Sequence, residues 1–113
     1  MTAPLALPPR ASLAELGHYI HALEARMGWL DVDLVHTCFF LGEEVGELFK
    51  AIRRFERRSV ATDDPGREGG KAEVADELVD VLNYLLAIAN RLDIDLEAAF
   101  LDKNTRNQGR TWT

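Results

Sequence analysis

The chain has 113 residues, 47% of them apolar and 28% charged, and a formal net charge of −6. That length and balance suit one folded domain and exclude a disordered tail or a two-domain enzyme. The acidic balance, relieved only by the short Arg53-Arg54 and Arg57-Arg58 cluster, excludes the basic footprint of a protein that binds nucleic acid polymers.

Residues 1–11, with Pro4, Pro8 and Pro9, are expected to be flexible. They are too short and too weakly apolar for a signal peptide, and no apolar run approaches the roughly 20 residues of a membrane span, so a cytoplasmic protein without a membrane partner is expected. Ser12 with Glu15 three places on forms a capping box, and Leu13, Leu16, Tyr19, Ile20 and Leu23 follow at helical spacing, which predicts a first helix ending near Gly28. A second helix is predicted from a cap at Asp33 to about Arg58, with Leu34, Leu41, Val45, Leu48, Ile52 and Phe55 on one stripe. Cys38 falls in this run and reads as a small buried hydrophobe, and Gly46 suggests close helix packing.

Residues 59–70 hold Asp63-Asp64-Pro65-Gly66 and Gly69-Gly70, which favour a flexible loop. A third helix is predicted over roughly Lys71 to Arg91, with Val74, Leu78, Val81, Leu85, Ile88 and Leu92 on its stripe. Asp93 to Asp95 then turns the chain into a short fourth helix capped by Asp95, with Leu96, Ala99 and Phe100 buried and a polar end from Lys103 to Arg110. Period-two alternation is sustained nowhere, so the fold class is all-α, a four-helix-bundle-like single domain over residues 1–113. Long thin helices in so short a chain leave apolar faces open unless another copy covers them, which points to a homodimer or homotetramer.

The chemistry concentrates in Glu43-Glu44-Val45-Gly46-Glu47 and Glu77-Leu78-Val79-Asp80. Glu44 and Glu47 lie one turn apart at the margin of one stripe, and Glu77 and Asp80 lie at the same margin of the other. A shift of 33 positions superposes the two pairs together with most of the flanking apolar residues. Single glutamates on helices are usually surface residues, perhaps with Lys50 or Arg54 as partners, whereas two matched pairs at matched margins are harder to dismiss. Four carboxylates at the edge of a core repel one another and call for protons or a cation. An oxygen-only donor set favours a hard ion, Mg²⁺ first and Mn²⁺ second.

Gly42-Glu43-Glu44-Val45-Gly46-Glu47-Leu48, then Glu77-x-x-Asp80, then Lys103, Asn107 and Arg110, resemble the MazG-like all-α nucleotide pyrophosphohydrolases over roughly Trp29 to Trp112. The resemblance implies a four-helix fold completed by oligomerisation, Mg²⁺ on Glu44, Glu47, Glu77 and Asp80, and cleavage of a nucleoside triphosphate between its α and β phosphorus atoms. It is consistent with Glu47 or Glu43 taking the proton of the attacking water, and the residues leave both open. Lys103, Arg106 and Arg110 would neutralise the triphosphate, and Asn107 would bond sugar or phosphate. Tyr84, one turn after Asp80, is a stacking candidate, with Asn83 and Trp29 as further base-pocket candidates.

Two other readings compete. A di-iron carboxylate bundle needs two Glu-x-x-His elements, and only Glu15-x-x-His18 is present. A non-enzymatic helical dimerisation module would use the acids to dock a basic partner and would release no pyrophosphate from any nucleotide.

Overall fold

Each helix needs partners for the backbone N–H groups that its first turn leaves unbonded, and short polar residues ahead of the apolar runs supply them. The computed structural model describes the backbone of residues 3–60 and 67–111 and the side chains of residues 3–57 and 70–111. Among these residues it has four α-helices and no strand, so the chain is all-α.

Helix α1 (Leu13–Met27) opens on the expected capping box: Ser12 Oγ accepts from the Glu15 N–H, and Glu15 Oε1 accepts from the Ser12 N–H. The second of these bonds does most to hold the Glu15 carboxyl below its ordinary range. The helix ends at Gly28, whose φ of 75° lets the Trp29 N–H turn back to the Glu24 carbonyl. Helix α2 (Leu34–Val60) follows Asp33, whose carboxylate accepts from the His36 N–H at 2.7 Å. Helix α3 (Arg67–Arg91) closes through Asp93 at a φ of 53°, with the Ile94 N–H bonded to the Ala89 carbonyl. The Asp95 carboxylate then caps α4 (Leu96–Gln108) through the Ala98 N–H.

The helix ends correct the expected loop. Helix α2 runs two residues past Arg58, and α3 begins four residues before Lys71, so residues 67–70 are helical rather than loop. Gly69 and Gly70 read as turn formers, but a glycine inside a helix costs only about 1 kcal/mol, and Gly70 is buried. The remainder of the expected loop, residues 61–66, lies outside the described residues.

Two compact units make up the chain, Met1–Val32 with Leu86–Thr113, and Asp33–Leu85. In the first, Ile20, Leu86, Ala87 and Ala89 are buried, and the small alanines allow close approach. Glu97 Oε1 accepts from the Ala14 N–H, tying the first turn of α4 to that of α1, and Asn90 donates to the Gly17 carbonyl at 2.9 Å. Arg91 grips both oxygens of Glu24, at 3.1 and 2.6 Å, with the two side chains only 14% and 10% exposed. Its guanidinium also donates to the carbonyls of Trp29, Val32 and Ala87, so one side chain secures the connection after α1 to the last turn of α3. Helix α4 departs from expectation: Leu96 is half-buried, but Ala99 and Phe100 are exposed. Its tie to α1 is made in the first turn, and Phe100 lies beyond it.

In the second unit α2 and the preceding part of α3 run antiparallel. Phe40 meets Tyr84 with ring centroids 6.0 Å apart, and Arg54 bonds Glu73 at 2.8 Å, so numbers rise along one helix as they fall along the other. Arg54 is thus committed to Glu73 rather than to the acids of its own helix. The sequestered face of α2 carries Thr37, Leu41, Glu44, Leu48, Ala51 and Phe55, and that of α3 carries Gly70, Val74, Glu77, Val81 and Tyr84. Both step by four and three residues, the spacing of a heptad seam. This corrects the stripe read for α3: Leu78 and Leu85 are 53% and 43% exposed, and Leu92 is exposed beyond the helix end. On α2, Ile52 is likewise exposed. Apolar residues cover more than half the circumference of α3, so its periodicity fits two phases, and the structure adopts the one that turns Glu77 inward.

Candidate active site

The antiparallel seam sets a glutamate of each helix at corresponding heptad positions, Glu44 on α2 and Glu77 on α3, with Asp80 one turn further along α3. Ligand oxygens of Glu44, Glu77 and Asp80 all lie within 4.8 Å of one another, and all three residues are half-buried. Glu77 Oε2 is buried with no hydrogen-bond donor. Sequestration raises the Glu44 carboxyl above its ordinary range, and the charge of Asp80, a hydrogen bond with the Glu77 side chain, and the charges of Glu77 and Glu47 add to the effect. Three acids in one small volume, one of them with an orphaned oxygen, are costly without a counter-charge. With oxygen as the only donor type, the set fits a hard divalent cation.

Glu43 and Glu47 are exposed on α2, and Glu47 stands one turn from Glu44, outside the close trio. Asn83 and Tyr84 are half-buried on α3 one turn beyond Asp80, with Tyr84 against Phe40. The remaining candidates belong to the first unit. Trp29 is exposed after α1, and its carbonyl accepts from Arg91. Lys103, Arg106 and Arg110 are exposed at the end of α4, where Arg106 pairs with Asp102 at 3.0 Å. Asn107 is half-buried, and its Oδ1 has no hydrogen-bond partner.

Two smaller expectations fail for one reason. Cys38 is exposed, and a Cβ placed on Gly46 would meet nothing within 4 Å. Both residues lie on parts of α2 turned away from the seam, which the apolar sequence around them concealed. Phe40 was missed as a neighbour of Tyr84; its place four residues before Glu44 was the available signal. The acid of the Glu15-x-x-His18 element is engaged in the α1 capping box, which leaves the di-iron reading without support from that residue.

Helices packed along a seam that brings three half-buried carboxylates together make this an all-α protein with a candidate oxygen-only metal site. The chain belongs to the MazG nucleotide pyrophosphohydrolase domain family, whose model matches residues 36–111. Enzymes of this family act on nucleoside triphosphates and generally depend on divalent metal. No curated protein matches the chain. Among the described residues no helix is long and apolar enough to cross a membrane.

A chelator experiment tests the acid cluster without reference to turnover. Because Glu44 titrates higher in the folded chain than in the unfolded one, the folded chain holds a proton that the unfolded chain releases, and stability falls as pH rises through that window. In EDTA at neutral pH, Glu44→Gln is expected to melt a few degrees above the parent, and the gain should vanish on acidification below the ordinary glutamate range. Restoring divalent metal at about five times its Kd should add about 1 kcal/mol to the parent. Identical melting curves for parent and variant at every pH, with or without metal, would show that the carboxylates do not interact.

Proposed function

We propose that this chain is a Mg²⁺-dependent nucleoside triphosphate pyrophosphohydrolase, converting ribo- or deoxyribonucleoside triphosphates to monophosphates and pyrophosphate and so clearing unwanted nucleotides from the pool. The observation that carries the reading is the approach of Glu44, Glu77 and Asp80 within the family-matched segment. These three residues, with Glu47 swinging in from one turn away, would hold the ion, and Mn²⁺ is the expected substitute. When bound, the ion supplies positive charge to the phosphate oxygens and acidifies the attacking water.

The protein's own groups do the rest. Glu47 or Glu43, both exposed on the α2 face beside Glu44, takes the water proton as the water oxygen bonds the α-phosphorus. The bond from that phosphorus to the bridging oxygen breaks, and pyrophosphate leaves with the electron pair. Lys103, Arg106 and Arg110 offset the charge of the triphosphate; Arg106 gives up only an exposed pairing with Asp102 to do so. Asn107 Oδ1 is an acceptor, so a sugar hydroxyl suits it better than a phosphate oxygen. Tyr84, seated against Phe40, offers a ring for stacking, and Asn83 and Trp29 complete the candidate base contacts. The functional protein is a single domain that works as a homodimer or homotetramer in the cytoplasm.

A panel of ribo- and deoxyribonucleoside triphosphates, assayed for pyrophosphate with Mg²⁺ and with EDTA, tests this directly. Metal-dependent release from at least one nucleotide is expected. Release of orthophosphate alone, or no release from any member, would end the reading.

A further inference from the structure

The first unit holds a cavity of about 310 Å³ where the start of α1 meets the start of α4 and the last turns of α3. Its walls are largely apolar: Leu13 comes from α1, Leu86 and Ala89 from α3, and Ile94 and Leu96 from the turn into α4. Two hydrogen bonds brace them. Glu97 Oε1 accepts from the Ala14 N–H, and Asn90 donates to the Gly17 carbonyl, and all four of these residues line the cavity. The volume lies in the range that takes small organic molecules, and walls already tied together incur little ordering cost on binding.

The charge of the lining is one-sided. Asp95 and Glu97 are its acids, His18 is its remaining titratable group, and among the described residues no lysine or arginine lines it and neither acid has an ion-pair partner. Each carboxylate caps a helix start with one oxygen, Asp95 Oδ1 on the Ala98 N–H of α4 and Glu97 Oε1 on the Ala14 N–H of α1, and has a second oxygen to offer. The two helix starts contribute roughly half a positive charge each, so against two carboxylates about one unit of negative charge remains. An anion is repelled there, a neutral solute gains nothing from the acids, and a monocation completes the balance. Burial grades in the same sense: Leu86 and Ala89 are buried at the floor, Glu97 is half-buried, and Asp95 is exposed at the rim. A hydrocarbon body thus suits the interior and a charged head the mouth.

We propose that the cavity between the starts of α1 and α4 is a binding site for a small amphipathic amine, a single ammonium group on a hydrocarbon body, with Asp95 and Glu97 holding the ammonium and Leu13, Leu86 and Ala89 enclosing the hydrocarbon. The site belongs to the first unit, the acid trio to the second, and the proposal is independent of the nucleotide chemistry.

Amide-resolved NMR of the full chain, titrated with n-hexylamine at neutral pH, tests it. The Ala14, Gly17 and Ala89 amides should shift together and saturate. Shortening the probe towards n-propylamine should weaken binding by up to about fourfold per methylene removed. n-Hexanol, which has the same body without the charge, should bind at least about tenfold more weakly, and n-hexanoate should not saturate. Glu97→Gln keeps an oxygen for the Ala14 N–H and Asp95→Asn keeps a good helix cap, so both variants should retain the parent's helical circular dichroism. Glu97→Gln is expected to raise the dissociation constant for n-hexylamine about tenfold, and the double variant further. Ala14→Leu, which fills the cavity from α1, should abolish saturable binding with the helical signal retained. Absence of a saturable shift at Ala14, Gly17 and Ala89, equal affinity for n-hexanol and n-hexylamine, or undiminished binding in the double variant would each overturn the proposal.

Discussion

Asp80→Ala is expected to lower metal-dependent pyrophosphate release by at least about 10³-fold, roughly 4 kcal/mol of transition-state stabilisation. The half-buried trio leaves no spare oxygen to replace the one removed: Glu44 and Glu77 already point into the same volume, and Glu47 is exposed. Helical circular dichroism should survive, since Asp80 is half-buried one turn along α3 from the seam position Glu77 and its removal leaves the apolar seam residues in place. Glu47→Ala is expected to be similarly damaging, by about 10²–10⁴-fold if the residue is the general base. The two variants separate by a second readout. Asp80→Ala should lose the rise in melting temperature that divalent metal gives the parent; Glu47→Ala should keep it if Glu47 handles the proton and lose part of it if Glu47 is a ligand. Full turnover in both variants would return the acids to the role of ordinary surface charges.

The largest effect on stability is expected at Arg91. Arg91→Ala leaves Glu24 buried without its counter-charge and abandons three backbone carbonyls, a loss of about 3–5 kcal/mol. At roughly 4–8 °C per kcal/mol for a domain of this size, melting should fall by more than about 10 °C. Lysine is no remedy, because a point charge cannot reproduce the planar fork that serves both carboxylate oxygens and the carbonyls. Combining Arg91→Met with Glu24→Leu should recover most of the loss, since an apolar pair incurs no penalty for a stranded charge. A melting temperature unchanged in Arg91→Ala would mean that the ion pair contributes nothing net. Recovery absent from the double variant would mean that the carbonyl bonds matter more than the charge.

Local signals in the sequence carried the helix starts well. Ser12, Asp33 and Asp95 each act as the cap their chemistry suggests, because capping depends on residues within one turn. The family was legible as well: the acidic motifs on consecutive helices led to it, and the match over residues 36–111 shows it. What the sequence hid was helix phase. Valine and leucine at positions 74, 78, 79, 81, 82 and 85 make α3 apolar on most sides, and only its pairing with α2 selects the phase that turns Glu77 inward. That ambiguity moved Glu77 from the expected margin into the seam and hid the exposure of Leu78 and Leu85. The grip of Arg91 on Glu24 joins residues 67 positions apart, a separation no local pattern encodes.

Glutamates at interior heptad positions make the folded chain a compromise between endurance and use. Leucine at both Glu44 and Glu77 would give the helix pair an uninterrupted apolar zipper, more resistant to heat than the natural one and without two carboxylates of the proposed metal site. Selection of variants for thermal survival alone would therefore discard these two acids early, and on the proposed chemistry the most heat-tolerant descendants would be the inert ones.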